Sequence, residues 1–176
     1  MVSVYELLKK RRSCRKYQDK LIEKRDIDTL LNAALMSPSS KRANPWEFIA
    51  VTNKDILSQL SNCKEHASSF IAEAPLAIVV IANTEKSDVW VEDASIASIL
   101  LQLTAEDLGL GSCWVQIRNR NSKQEKVNSD KYVRNVLNIP EEYAVESIIS
   151  IGYKIEERKP FDEEKLQKEK LHFDKF

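Results

Sequence analysis

The residues of this chain best suited to chemistry lie near its beginning. Arg11, Arg12, Ser13 and Arg15 place three guanidinium groups and a hydroxyl within five positions. A guanidinium group is planar, permanently charged and able to donate two parallel hydrogen bonds, which suits a phosphate group. On its own, such a stretch also fits a solvated basic surface with nothing bound. The rest of the sequence therefore has to decide between a phosphate site and a plain surface.

Cysteine and histidine offer little other catalytic material. Cys14, Cys63 and Cys113 are odd in number and widely spaced, which argues against a disulfide framework and a structural zinc site. The two histidines, His66 and His172, are too few for a multi-histidine metal centre. Cys14 lies among arginines, but no histidine base is near it in sequence. We therefore expect neither a side-chain nucleophile nor a metal site.

Composition sets the broad class of protein. The chain has 176 residues, 43% of them hydrophobic, and its 27 basic and 27 acidic residues cancel. One domain with a substantial core is expected, without the overall basic field that nucleic-acid binding favours. The longest apolar run, 74–82, is too short to span a bilayer, and no signal peptide is visible. These features predict a cytoplasmic protein with no nucleic-acid or membrane partner.

The elements that must position these residues follow from periodicity and capping. The predicted order is helix, helix, strand, helix, strand, long helix, strand, helix, strand. The long helix should run from Val91 to Leu108 and end at Gly109. Its inward face is predicted to carry Ile96, Ile99, Leu100, Leu103 and Leu108. This order indicates an α+β fold rather than a doubly wound one.

Five short stretches occur in a fixed order along the chain. They are Arg11-Arg12-Ser13-x-Arg15, Pro38-Ser39-Ser40 with Pro45-Trp46-x-Phe48, Ala74-Pro75, Gly109-Leu110-Gly111-Ser112-Cys113-Trp114, and Ile151-Gly152-Tyr153. Taken together, they resemble the nitroreductase family of flavin mononucleotide (FMN) enzymes. The resemblance covers nearly the whole chain, to about Tyr153.

The resemblance implies a fold and an assembly. The fold would be an α+β sandwich in which helices flank a mostly antiparallel central sheet. Residues 1–153 would form a single FMN-binding domain. The charged segment 154–176 would be a C-terminal arm that packs on the second subunit of an intertwined homodimer.

The resemblance also implies the residues that hold FMN. Arg11, Arg12, Ser13 and Arg15 would bind the phosphate and ribityl region, with Arg15 nearest the ring. Backbone N–H groups at Gln116 and Ile117 would lie near flavin N5. The remaining implied contacts are Pro38, Ser39 and Ser40, reaching across from the second subunit, and Arg158 and Lys159, completing the phosphate site.

Two positions depart from the family pattern. Arg42 stands where members commonly carry an amide that touches the ring. A cation there would stabilise the anionic reduced flavin near N1, or it would simply point to solvent. Gln116-Ile117 stands where many members have a glycine, which leaves the shape of the ring pocket and the substrate open.

The implied activity is that of an NAD(P)H-dependent flavin oxidoreductase. It would take hydride from NAD(P)H and reduce a nitroaromatic, quinone or flavin-type acceptor by a ping-pong mechanism. The chemistry would occur on FMN N5, without a catalytic side chain or a metal. One alternative is a flavin-binding, delivery or sensing protein with little reductase turnover. Another is a specialised reaction such as reductive dehalogenation or flavin fragmentation, whose enzymes usually carry a lid that only 118–130 is long enough to supply.

Overall fold

A computed structural model describes residues 3–124 and 127–176 of the chain. The helices in these residues are α1 (Val4–Lys10), α2 (Lys24–Leu35), α3 (Lys54–Leu60), α4 (Trp90–Asp107) and α5 (Ser129–Leu137). The strands are β1 (Trp46–Val51), β2 (Leu76–Asn83), β3 (Leu110–Gln116) and β4 (Tyr143–Tyr153). Their order along the chain confirms the predicted order. None of the helices in this described part is long and apolar enough to cross a membrane.

Local capping explains where several helices begin and end. The Ser3 hydroxyl accepts the Glu6 N–H at the start of α1. The Asn53 carboxamide accepts two N–H groups in the first turn of α3. Gly109 follows α4 with a φ of +74°, a left-handed conformation that glycine adopts without steric cost.

The four strands form one antiparallel sheet in the order β1-β2-β4-β3. Successive side chains of β2 enter two separate cores, because neighbouring residues of a strand face opposite sides of the sheet. Helices α2 and α4 cover one side, with Leu30 and Leu101 buried there. Helices α3 and α5 cover the other, with Leu57 and Val133 buried. The result is the α+β sandwich that the family resemblance implied.

A β-bulge interrupts the pairing of β2 with β4. Val80 pairs with Ser147, but the next residue, Ile81, pairs with Val145. Glu146 is therefore left without a partner on β2.

The predicted inward face of α4 is wrong. Ala94, Ala97, Leu101 and Ala105 are fully buried against the sheet, whereas Ile96 is 39% exposed. Ile99, Leu100 and Leu103 are only partly buried. Small side chains let α4 lie close to the sheet, so its larger aliphatic residues face outward. Apolar periodicity alone did not distinguish the two faces.

The segment after β4 lies on the surface. It is tied to α1, because the Phe161 N–H donates to the Lys9 carbonyl at 2.8 Å. Lys9 Nζ also lies 3.1 Å from Glu163 Oε2. Several large apolar side chains of this segment are exposed: Phe161, Leu166, Leu171, Phe173 and Phe176.

Candidate functional site

The basic stretch after α1 lies along the start of β3 and the end of β4. The Cys14 N–H donates to the Ser112 carbonyl at 2.9 Å, and the Gln18 N–H donates to the Tyr153 carbonyl at 2.9 Å. Ser13 pairs with Ser112 in a parallel bridge. These bonds hold the basic stretch at one end of the sheet through its backbone, so they use none of its guanidinium groups.

Two glycines let the basic stretch lie this close to β3 and β4. Gly111 and Gly152 pair across β3 and β4. A Cβ on Gly111 would lie 2.7 Å from Cys14 Cβ, and one on Gly152 would lie 2.7 Å from Tyr17 Cδ1. Both distances are too short for two carbon atoms, so Cys14 and Tyr17 can pack against this pair only because both residues are glycines.

Tyr17 locks the conformation of the stretch. Its hydroxyl lies 2.7 Å from the Cys14 carbonyl oxygen and 2.7 Å from Ser150 Oγ. Burial raises the pKa of this phenol far above its ordinary value, so it keeps its proton and donates. The turn that presents Ser13 and Arg15 is therefore fixed from beneath.

A pocket that is open to solvent lies over this end of the sheet. The predicted residues Arg12, Ser13, Arg15 and Arg158 all line it. Six basic and three acidic residues are among those around it, so it is suited to an anionic ligand. The other lining residues are Lys10, Cys14, Lys16, Glu106, Lys154, Glu156 and Glu157.

Lys154, at the edge of this pocket, is already paired. Its Nζ lies 2.9 Å from Glu106 Oε1 and 3.2 Å from Glu157 Oε2. Burial lowers the pKa of Lys154, but these carboxylates outweigh burial and its pKa is raised overall. The Glu106 side chain is only 7% exposed. The arginines, rather than Lys154, are thus left to meet a phosphate group.

Lys159 and Arg11 lie beside the pocket rather than among its lining residues. Arg12 Nη1 donates to the Lys159 carbonyl at 2.9 Å, so the backbone of the C-terminal segment orients this arginine. Burial raises the pKa of the Cys113 thiol, and Arg15, Ser13 and Arg11 partly offset that rise. Those three residues therefore surround a buried thiol that is not activated as a nucleophile.

Gln116 and Ile117 lie at the far end of β3. Gln116 is about 13 Å and Ile117 about 17 Å from Ser112, at roughly 3.3 Å per strand residue. The Gln116 carboxamide accepts from Trp114 Nε1 at 2.9 Å and donates to the Arg118 carbonyl at 3.2 Å. The Ile117 side chain is fully buried, and its N–H donates to the Glu146 carbonyl at 3.2 Å.

The Pro38-Ser39-Ser40 loop is fixed to the first turn of α4. Asp93 is 3% exposed, and its Oδ1 accepts the Ser40 N–H at 2.8 Å. Its Oδ2 accepts from the Ser87 hydroxyl at 3.0 Å. Lys41 and Arg42 follow with φ values of 52° and 56°, and Arg42 is exposed at the tip of the loop.

Within one chain this loop is remote from the basic pocket. Asp93 anchors the loop near the start of α4, and Glu106 reaches the pocket from the end of the same helix. These residues are about 20 Å apart along the helix, at 1.5 Å per residue. The structure therefore does not bring Ser39 and Ser40 together with Arg12 and Arg158 in a single subunit.

Sequence reasoning did not find the supports of the site. It assigned no role to Tyr17, to Glu106 or to the pairing of Gly111 with Gly152. One signal was present: the chain has only three glycines, and two of them fall inside apolar strands. A glycine in a strand often marks the close approach of another segment.

Comparisons with known proteins agree with this fold. A model of the Nitroreductase family matches residues 8–64 and 58–153, so the chain belongs to the nitroreductase family. A solved structure of an FMN-dependent nitroreductase from Clostridium difficile R20291 is 51% identical, with a TM-score of 0.94. That likeness covers 97% of this chain and 98% of the other.

Two curated relatives extend the comparison. A Methanothermobacter thermautotrophicus protein named "Putative NADH dehydrogenase/NAD(P)H nitroreductase" is 34% identical over 175 residues, covering 96% of this chain and 88% of its own length. A Bacillus subtilis protein named FMN reductase (NADPH) is 26% identical over 148 residues, covering 72% of this chain and 59% of its own length.

Proposed function

We propose that the protein is an NAD(P)H-dependent flavin oxidoreductase that binds FMN and reduces a nitroaromatic, quinone or flavin-type acceptor by a ping-pong mechanism. One observation carries the proposal: Arg12, Ser13, Arg15 and Arg158 converge on one pocket at the end of the sheet. The names of the relatives, which include an FMN-dependent nitroreductase and an FMN reductase (NADPH), support it.

The residues present fit FMN. Guanidinium groups and a serine hydroxyl are donors, as a phosphate requires, and the glycine pair holds their segment close to the sheet. In this proposal Arg12, Ser13 and Arg158 hold the phosphate. Arg11 adds positive charge nearby, and Arg15 extends toward the ribityl chain and the ring.

Bound FMN would supply the redox chemistry, because its ring accepts a hydride equivalent from NAD(P)H and returns it to an acceptor. The protein's part is to bind, orient and tune that group. Gln116 borders the ring with the buried Ile117 next to it, and the positive charge of Arg15 favours the electron-rich reduced state. Arg42 would add a second cation if its loop reaches the ring.

A homodimer is part of the proposal. Ile96 on the outer face of α4 and Phe173 in the C-terminal arm are exposed apolar residues that a second copy would cover. The Ser39–Ser40 loop is about 20 Å along α4 from the basic pocket of its own chain, which supports a contact of this loop with the FMN of the partner subunit. Residues 154–176 would form the arm that packs on the partner.

Reconstitution tests the proposal directly. The purified protein, treated with excess FMN and freed of unbound ligand, should keep a flavin absorption band. Anaerobic NADPH or NADH should bleach that band, and a quinone added afterwards should restore it. Arg15→Gln should weaken FMN retention, whereas Lys24→Gln, an exposed change on α2, should not. A wild-type protein that retains no flavin would refute the proposal.

The exposed, left-handed Arg42 favours one other candidate. A cation at the position of the usual ring-contacting amide would suit a flavin-binding, delivery or sensing protein with little turnover. The same experiment separates the two, because such a protein would keep its flavin band but would not be bleached by either nicotinamide nucleotide.

A further inference from the structure

Glu146 is a nearly buried carboxyl group beside the far end of β3. The residue is 3% exposed, and its Oε2 has no hydrogen-bond partner among the residues the structure describes. An unpartnered buried acceptor destabilises the fold, and more so if it is charged. Such a group in a native fold therefore needs a reason.

The β-bulge places this carboxyl group. Glu146 has no partner on β2, and its Oε1 meets the Gln116 side chain, which belongs to the face that α4 covers because Gln116 pairs with Ser147. The neighbouring Ser147 shares that face, since its hydroxyl lies 3.0 Å from the hydroxyl of Ser98 on α4. A regular strand would have pointed Glu146 and Ser147 to opposite sides.

Glu146 contacts the end of β3 through both its side chain and its backbone. Its Oε1 accepts from Gln116 Nε2 at 3.4 Å. Its carbonyl oxygen accepts the N–H groups of Ile117 and Arg118, each at 3.2 Å. The two residues predicted to lie nearest flavin N5, Gln116 and Ile117, are thus both held by this one residue.

The orientation of the Gln116 amide is fixed. Trp114 Nε1 can only donate, and it lies 2.9 Å from Gln116 Oε1. The amino group of Gln116 must then face the Arg118 carbonyl and Glu146. A change at Glu146 would reach Gln116 directly.

Charged and polar groups face Glu146 from two elements. Burial raises the pKa of its carboxyl group, and Gln116 and Arg118 on the β3 side lower it. Glu92 of α4 raises it further. Burial dominates, so the pKa lies above that of an exposed glutamate.

We propose that Glu146 is a positioning residue of the flavin site, which holds Gln116 and Ile117 beside the ring and carries a charge that the flavin senses. The inference rests on the proposed function. Ionised, Glu146 disfavours the electron-rich reduced flavin; neutral, it does not. By linkage, reduction of the flavin raises the affinity of Glu146 for its proton.

The apoprotein gives a readout that needs no flavin. A carboxyl group with a raised folded-state pKa contributes stability that is fully present below its unfolded pKa and is lost as pH rises through the folded pKa. Between the unfolded and the folded pKa of Glu146, the free energy of unfolding of the wild type should therefore fall with rising pH relative to that of Glu146→Gln. Glu141→Gln, the same change at an exposed position, should follow the wild type throughout. Equal pH profiles for the wild type and Glu146→Gln would overturn the charge part of the proposal.

The FMN-loaded protein tests the positioning part. From the folded-state pKa found in the apoprotein upward, where reduction draws a proton onto Glu146, the midpoint potential of the wild type should fall more steeply with pH than that of Glu146→Gln. Glu146→Leu, which removes the acceptor for Gln116, should shift the flavin absorption band. If Glu146→Leu does not fold, the pH dependence of the midpoint potential of Glu146→Gln still tests the proposal.

The outcomes separate this inference from the proposed function. A wild-type protein that binds no FMN overturns both. Wild-type binding with the same pH slope of the midpoint potential in Glu146→Gln overturns the inference alone. A Glu146→Leu protein that is less stable but has an unshifted flavin band would show a purely structural role, and it would also overturn the inference.

Discussion

At the scale of single residues, the site depends on two glycines, which have no side chain. Gly111 and Gly152 pair across β3 and β4, and the space they leave is filled by Cys14 and Tyr17. Glycine weakens a strand by roughly 0.5–1 kcal/mol relative to alanine. That cost is offset here by the burial of the Tyr17 ring, which is 6% exposed. The close approach fixes the backbone from which Arg15 extends.

Gly111→Ala should therefore weaken FMN binding about tenfold and cost about 1–3 kcal/mol of stability. The new methyl group would lie 2.7 Å from Cys14 Cβ and would push the basic stretch off the sheet. Gly109→Ala is the matched control: its methyl group would meet nothing within 4 Å, but its φ of +74° strains alanine by about 1 kcal/mol. Urea unfolding and FMN titration should show a stability loss in both variants and an affinity loss only in Gly111→Ala.

Arg158 and Lys159 make different contacts despite being neighbours. Arg158 lines the basic pocket, whereas the observed contact of Lys159 with Arg12 is through its backbone carbonyl. Arg158→Gln should weaken FMN binding about tenfold, as expected for one charge-assisted hydrogen bond near the surface. Lys159→Gln should have a much smaller effect. Riboflavin, which lacks the phosphate, should bind both variants as it binds the wild type; an equal loss for riboflavin would place Arg158 away from the phosphate.

At the scale of elements, α4 connects the two ends of the site. Near its start, Asp93 holds the Ser40 N–H and the Ser87 hydroxyl; near its end, Glu106 pairs with Lys154. The helix therefore fixes the distance between the loop after α2 and the basic pocket. Its small inward residues keep it against the sheet, so this distance does not depend on flexible side chains.

Asp93→Ala should release the loop. The Ser40 N–H and the Ser87 hydroxyl would lose a carboxylate acceptor, which should lower the free energy of unfolding by about 2–3 kcal/mol. Amide exchange across residues 39–44 should speed up more than exchange in the sheet. Glu92→Ala, at an exposed position in the same helical turn, should change stability by no more than about 0.5 kcal/mol. Unchanged exchange in the loop of Asp93→Ala would show that other contacts hold it.

The element order was predictable from the sequence because apolar periodicity and caps are local. The signal at Gly109 involves a few neighbouring residues, and the structure confirmed it. The inward face of α4 was not predictable, because it depends on how closely the helix approaches the sheet. The Glu146 bulge and the Lys154–Glu106 pair depend on contacts between residues far apart in sequence, for which a single sequence gives no signal.

At the scale of the whole molecule, one chain holds an incomplete version of the proposed site. The Ser39–Ser40 loop is anchored at one end of α4 and the basic pocket lies at the other. The exposed Ile96 lies on the outer face of the same helix. Two copies packed on that face would bury apolar surface and bring each loop toward the other chain's pocket. Ile96→Glu should therefore be a monomer by light scattering, and its flavin absorbance should show no bound FMN. Leu21→Glu, also at an exposed apolar position, should remain dimeric.

Mixing two inactive variants tests whether the loop serves the partner. Arg158→Glu damages the pocket of its own chain, and Arg42→Glu reverses the charge of a loop tip that would act on the other chain. In a heterodimer of the two, both defects fall in one site and the other site is intact. Unfolded together in equal amounts and refolded, the two chains should regain about a quarter of the wild-type FMN sites by random pairing into twofold dimers. If the loop instead served its own chain, every site in the heterodimer would carry a defect and no binding would return.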